Sequence, residues 1–297
     1  MLAIKEERFE GTFPFPPQYY TGNGFAMHFV DVGRGEPIVM LHGDPTWGYL
    51  YRHFIPSLAR RYRCIVPDHM GMGKSDVPQD RSLYGLEHHI TNLEGLLMHL
   101  DVRDITLVLH DWGGPVGLGF AMRHPERIKR LVLMNTWACA PWPGGPFPRL
   151  LELIRSQRGE AFVLKKNGYL EPALLGTTYH TAHLTGSVMA AYRAPFPTPE
   201  SRLAMLCWSR DIPVQETDAS YAEMKRIEQS LSQFSGTPIL LIWGMQDPVL
   251  PPSVLQQWQR LYPHARTHEL EDASHFLQED APERIMSWME AFLSEAY

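Results

Sequence analysis

The sequence is poor in cysteine, has no surplus of basic charge and contains no long apolar run. Each shortage closes off a class of function. The three cysteines, Cys64, Cys139 and Cys207, are odd in number and widely scattered. They show neither a disulfide framework nor the close spacing of a metal site, so they read as reduced thiols of a reducing compartment. The 27 basic and 33 acidic residues leave a net charge of −6. With no basic stripe, that balance opposes nucleic-acid binding. No uninterrupted apolar run approaches the ~20 residues of a membrane helix. The chain turns charged at Lys5-Glu6-Glu7-Arg8 before any apolar segment, which is not the pattern of a secretory leader. The loop Gly71-Met72-Gly73 does not open a helix directly after a strand, which sets aside a dinucleotide or phosphate cradle. A cytoplasmic protein is therefore expected, with no metal, no cofactor, no nucleic-acid partner and no membrane contact.

What is present is alternation. The 297 residues suffice for one large α/β domain or a domain with an insertion. Residues 1–25 read as an edge strand and loop. Ala26 to Val32 alternates and ends at Gly33-Arg34-Gly35, a hairpin-like signal. Strands are expected at 37–41, 63–67, 105–109, 130–134, 238–243 and 266–270. Helices are expected near 48–60, 86–100, after 112, 219–232, 252–262 and 281–295. Between 138 and 218 the alternation stops, and proline, glycine and aromatics gather around amphipathic stretches near 147–164 and 198–208. The order predicts a mostly parallel central sheet flanked by helices. Its core domain is 1–137 with 219–297, and a helical cap, 138–218, is inserted in it. Oligomeric state stays open.

Chemistry gathers at strand ends, where such sheets carry their active residues. The run Ile105 to Leu109 ends in His110-Asp111, followed by Trp112-Gly113-Gly114 and a helical segment. A strand, a tight turn and a helix would thrust Asp111 out beside helix N-terminal N–H groups. This is how an α/β-hydrolase displays its nucleophile. Asp247 follows the 238–243 strand and His275 follows the 266–270 strand, giving the order nucleophile, acid, histidine. Each residue alone has a plain reading: an N-cap for Asp111, a turn residue for Asp247, a loop histidine for His275. The shared order and placement select the catalytic one.

The elbow lacks a serine, and that decides the chemistry. A serine attacking an alkyl carbon would leave an ether, which histidine and water cannot cleave. Asp111 would leave an ester whose carbonyl belongs to the enzyme, so water can attack it and restore the carboxylate. His275 would be the base for that water, supported by Asp247. Backbone N–H groups of Trp112 and Asp44 would form the oxyanion hole.

Over essentially its whole length the chain resembles the haloalkane dehalogenases. The motifs that carry this are His42-Gly43-Asp44-Pro45-Thr46-Trp47 with Leu50-Tyr51-Arg52, the elbow His110-Asp111-Trp112-Gly113-Gly114, and Gly73-Lys74-Ser75-Asp76. Arg123-His124-Pro125-Glu126-Arg127 and Ser274-His275-Phe276 with Gln278-Glu279 add to them. The resemblance implies an α/β-hydrolase fold that acts on a halogenated small molecule and water, releasing alcohol and halide without a cofactor. It also implies that the Trp112 indole N–H, a donor only, binds the halide. Many members place an Asn where this chain has Asp44, as second halide donor. An ionised Asp44 would repel halide, so it orients a water, stays protonated, or the substrate is not a haloalkane. Trp137, Trp142 and Trp208 are candidate second donors. Some members carry the triad acid at Asn135-Thr136-Trp137, where this chain has no carboxylate, which favours Asp247. Rival readings are a β-lactone decarboxylase or an epoxide hydrolase with the same nucleophile, Tyr169, Tyr179 and Tyr192 being cap tyrosines available to an epoxide oxygen. From another class comes a non-catalytic α/β-hydrolase-fold binding protein.

Overall fold

The computed structural model describes residues 2–144 and 148–295. Its centre is an eight-stranded sheet in the order β1-β2-β4-β3-β5-β6-β7-β8. The strands are β1 Gln18–Tyr20, β2 Met27–Gly33, β3 Pro37–Leu41, β4 Arg63–Pro67, β5 Ile105–Asp111, β6 Ile128–Thr136, β7 Ile239–Gly244 and β8 Arg266–Leu270. The two pairings that involve β2 are antiparallel and the others are parallel. Every residue of β3, β5 and β7 is buried. That is why these strands read as unbroken apolar runs: parallel strands are covered on both faces. The chain has the mostly parallel, helix-flanked α/β-hydrolase fold expected of it.

The hairpin signal at Gly33-Arg34-Gly35 is overturned. β2 pairs with β4, and β3 lies on the far side of β4. The turn carries the chain across the end of β4 instead of folding β3 back on β2. The helix expected over 48–60 is broken into a 3-10 turn, Gly48–Tyr51, and a short helix, Ile55–Leu58, that begins next to Pro56. The break lets Arg52 turn inward to a bidentate pair with Glu279, at 2.5 and 2.7 Å, and the Tyr192 hydroxyl donates to the same carboxylate. Two of the resemblance motifs, one at each end of the chain, thus meet in one buried ion pair.

The Gly71-Met72-Gly73 loop has a structural use. Gly73 lies at φ +54°, and a Cβ there would come within 2.1 Å of Asp68 Oδ2. Its bareness lets the buried Asp68 carboxylate accept from the N–H groups of Gly48 and Lys74 and from His28. Between β6 and β7 the described residues form helices and no strand: Pro148–Arg155, Gln157–Glu160, a π-helical turn Ala161–Lys165, Leu170–Thr177, Gly186–Arg193, Leu203–Asp211 and Tyr221–Ser230. Residues 145–147, where the first amphipathic stretch was expected to begin, lie outside the described residues. No helix among the described residues is long and apolar enough to cross a membrane.

Candidate active site

Five strands, β3, β5, β6, β7 and β8, deliver the site from their carboxyl ends. Asp111 is the last residue of β5 and holds φ at +50°, a left-handed conformation a non-glycine residue adopts at some cost. The next turns must therefore be bare. A Cβ on Gly114 would come within 1.8 Å of Thr136 Oγ1. That hydroxyl instead donates to the Asp111 carbonyl at 2.6 Å, fastening the elbow to β6.

The Asp111 carboxylate accepts the backbone N–H of Asp44 at 3.0 Å and that of Trp112. His275 Nε2 lies 3.6 Å from Asp111 Oδ2, and its Nδ1 lies 2.8 Å from Asp247 Oδ2. Asp247 is held in turn. Its Oδ1 accepts from the N–H groups of Val249 and Leu250, and its Oδ2 accepts from Asn135 Nδ2 at 2.7 Å. Asn135 also takes the Gly244 N–H on its Oδ1, which ties β6 to β7. Sequence reasoning registered this residue only as a missing carboxylate. A polar residue at a strand end one strand from Asp111 was the available signal.

Three buried groups share the local field. Burial pushes the Asp111 carboxyl up, and His275 and the two N–H groups only partly oppose this, leaving it raised. Burial lowers the His275 imidazole, but the Asp247 charge and hydrogen bond, with the Asp111 charge, more than offset this and leave it raised. Asp44 is pushed well above the usual carboxylate range, first by burial and then by the Asp111 charge; hydrogen bonds from Tyr169 and Ser209 only partly oppose this.

A raised native carboxyl has a signed consequence. Above pH ~4 the unfolded Asp44 is ionised while the native one still holds its proton. The native state then binds more protons, and this group costs about 1.4 kcal/mol per pH unit until its native value is passed. Asp44→Asn should therefore raise the thermal midpoint more near pH 8 than near pH 5. Equal shifts at the two pH values, measured by calorimetry, would contradict it.

The cavity above Asp111 is about 150 Å³, room for a molecule the size of benzene. Its wall includes Asp44, Trp112, Trp137, Trp142, Tyr169 and His275. The indole N–H groups of Trp137 and Trp142 are buried with no hydrogen-bond partner. Trp208 is not among the cavity residues. It packs behind Trp112, with ring centroids 4.7 Å apart, and stacks on His89. The structure thus brings Asp111, Asp247, His275, Trp112 and Asp44 together, with Trp137 and Trp142 in the wall and Trp208 outside it. Of the three cap tyrosines, Tyr169 reaches the cavity, Tyr192 is spent on Glu279 and Tyr179 is about half exposed. Ser209, on the helix Leu203–Asp211, donates to Asp44 Oδ2 at 3.3 Å and carried no signal in the sequence.

Comparison with known proteins identifies the family and the fold. The family described as alpha/beta hydrolase fold matches residues 36–282. A cis-3-alkyl-4-alkyloxetan-2-one decarboxylase of Shewanella oneidensis is 38% identical, over 95% of this chain and 89% of its own. A haloalkane dehalogenase of Sphingobium indicum is 34% identical over 91% and 92% of the two chains. Among solved structures, a haloalkane dehalogenase from Agrobacterium tumefaciens superposes with a TM-score of 0.83 at 30% identity, covering 94% of this chain and 96% of that one.

Proposed function

The chain belongs to the haloalkane dehalogenase family of the α/β-hydrolase fold, and from that premise we propose that it hydrolyses the carbon–halogen bond of small haloalkanes to alcohol, halide and a proton. The observation that carries this is Asp111, a carboxylate at the strained elbow, backed by two N–H donors and facing His275. An Asp111 oxygen attacks the carbon bearing halogen. The carbon–halogen bond breaks and its electron pair leaves as halide, received by the Trp112 indole N–H with Trp137 or Trp142 beside it. Water then attacks the carbonyl carbon of the ester while His275 takes its proton. The N–H groups of Trp112 and Asp44 hold the oxyanion, and collapse frees the alcohol. Asp247 keeps His275 oriented, and Asn135 keeps Asp247. In this reading residues 138–218 form the cap that closes over the core, 1–137 and 219–297.

His275 acts as a base only when neutral, and its native value is raised. Hydrolysis of the ester should therefore rise with pH as His275 loses its proton. Once the ester forms, the Asp111 charge is gone and one cause of the raised value goes with it. The limb should appear in kcat where ester hydrolysis limits turnover, and not in kcat/KM, which ends at halide departure before His275 acts as base. A hydrolysis rate with no such limb would contradict His275 as base. The stability His275 gains from its carboxylate neighbours is fully present below about pH 6.5 and lost as pH rises through the native value.

The direct test is halide release from a panel of chloro-, bromo- and iodoalkanes; no release across the panel defeats the reading. A second reading, decarboxylation of a β-lactone by the same nucleophile, is favoured by two relatives of that name, each 38% identical. Its mark would be alkene and carbon dioxide from a cis-β-lactone at rates far above any halide release. The compact cavity suits a small haloalkane better than a lactone with two alkyl substituents.

A further inference from the structure

Asp44 presents a problem in electrostatics. It is 7% exposed and lies beside a second buried carboxylate, Asp111, whose Oδ1 its own N–H contacts. Asp111 is served by two N–H donors and His275. No ion pair to Asp44 occurs among the described residues. The groups that face it are the Asp111 carboxylate from β5, the Tyr169 hydroxyl from the segment before the helix Leu170–Thr177, and the Ser209 hydroxyl from the helix Leu203–Asp211. Burial and the Asp111 charge both disfavour a second negative charge on Asp44 in this site. The proton goes to the one with less support for its charge, which is Asp44.

Geometry also says which oxygen is free to donate. Ser209 donates to Oδ2, and the Tyr169 hydroxyl faces both Asp44 and Ser209. Oδ1 is buried with no partner at all. Asp44, Tyr169, Trp112 and Asp111 all line the same cavity. Neutral carboxylic acids kept in apolar sites are known to serve as hydrogen-bond donors to developing negative charge.

We propose that Asp44 enters the reaction as a neutral carboxylic acid, positioned by Tyr169 and Ser209, that hydrogen-bonds to a departing halide and gives its proton to a departing epoxide oxygen, so that the site opens small terminal epoxides as well as carbon–halogen bonds. This rests on Asp111 being the nucleophile. With a haloalkane, Asp44 keeps its proton and hydrogen-bonds to the halide. With an epoxide, an Asp111 oxygen attacks the less substituted ring carbon. The ring C–O bond breaks, its electron pair stays on the ring oxygen, and that oxygen takes the Asp44 proton. The products are a β-hydroxyalkyl ester on Asp111 and an ionised Asp44. Water then attacks the ester carbonyl and passes one proton to His275, which returns it to the departing alcohol oxygen. The other proton of the water restores Asp44, and the net reaction is epoxide plus water to diol. An asparagine at this position donates a hydrogen bond but has no proton to surrender, so Asp44 separates the two leaving groups.

The test uses the full chain carrying His275→Phe, which stops at the ester, with Asp44 intact or as Asp44→Asn. Adduct formation is followed by intact-protein mass spectrometry from about pH 5 to about pH 9. The probes are a four-carbon primary bromide and the terminal epoxide of the same length. With Asp44 intact, both probes should form adducts, and both rates should decline at alkaline pH as Asp44 loses its proton. Asp44→Asn should slow the epoxide adduct by about 100-fold or more and remove the alkaline decline from the bromide adduct. Bromide adduct without epoxide adduct, or equal slowing of both with the alkaline decline retained, overturns the inference and leaves Asp111 in its role. No adduct from either probe overturns the nucleophile itself. Infrared difference spectra give a readout apart from activity: a protonated-carboxyl carbonyl stretch should be present with Asp44 and lost in Asp44→Asn, and its absence with Asp44 present contradicts the proposal.

Discussion

Replacing Asp111 with alanine should reduce halide release from bromoalkanes by about 10⁴-fold or more, with the fold intact. The expected loss is this large because no other group near the cavity can take over. His275 is held by Asp247 with its Nε2 toward Asp111, and as a base it lacks the enzyme-borne carbonyl on which the second half of the reaction depends. Asp44, the other carboxyl in the wall, is pushed toward its neutral form, and a neutral carboxyl is a poor nucleophile. Removing Asp111 also removes the charge that raises Asp44, so a small residual reaction in the variant should grow with pH. Stability should not suffer, since the variant removes a carboxylate whose charge burial disfavours. A variant retaining more than a few per cent of halide release would contradict Asp111 as nucleophile.

The second large effect is His275→Phe. Turnover should fall by about 10⁴-fold or more, but the first chemical step should survive, because halide leaves without a proton and Asp111 is still presented by the Asp44 and Trp112 N–H groups. One equivalent of halide per protein should appear in a burst, and one alkyl group should remain on Asp111. A variant that loses the burst together with turnover would place His275 in the first step instead. Phenylalanine fills the imidazole space and sits well among His110 and Phe276, the rings packed around His275, so a folding failure is not the expected cause of the loss.

The parts of this site that were legible in the sequence are those that local chain geometry fixes. A buried strand ending in a polar residue and two glycines makes an elbow wherever it occurs, so Asp111 could be read from residues 105–114 alone. Asp247 and His275 follow buried strands in the same way, and a parallel sheet brings all such ends to one rim. Strand order is a different matter. The sequence pattern at Gly33-Arg34-Gly35 fits a hairpin, yet β4 takes the place beside β2, a choice settled by long-range packing that no short pattern encodes. The supporting partners were hidden for a related reason. Asn135 matters because its Nδ2 meets Asp247 across more than a hundred residues of chain. Ser209 and Tyr169 matter because the helix Leu203–Asp211 and the residue before the helix Leu170–Thr177 come over Asp44, and a stretch poor in regular alternation gives little by which to place its helices. Trp208 was as good a halide donor as Trp142 by sequence; only the fold separates them, putting Trp142 in the cavity wall and Trp208 behind Trp112.

The central claim is that the bond to carbon is made by Asp111 and broken at the carbonyl carbon of Asp111. A single turnover in heavy-oxygen water, with protein in excess over a bromoalkane, tests it directly. The alcohol of that first turnover should carry ordinary oxygen, donated by Asp111, and the peptide containing Asp111 should gain one heavy oxygen atom. Heavy oxygen in the first alcohol with none in the peptide would mean that water attacked the substrate carbon itself, and would contradict the account.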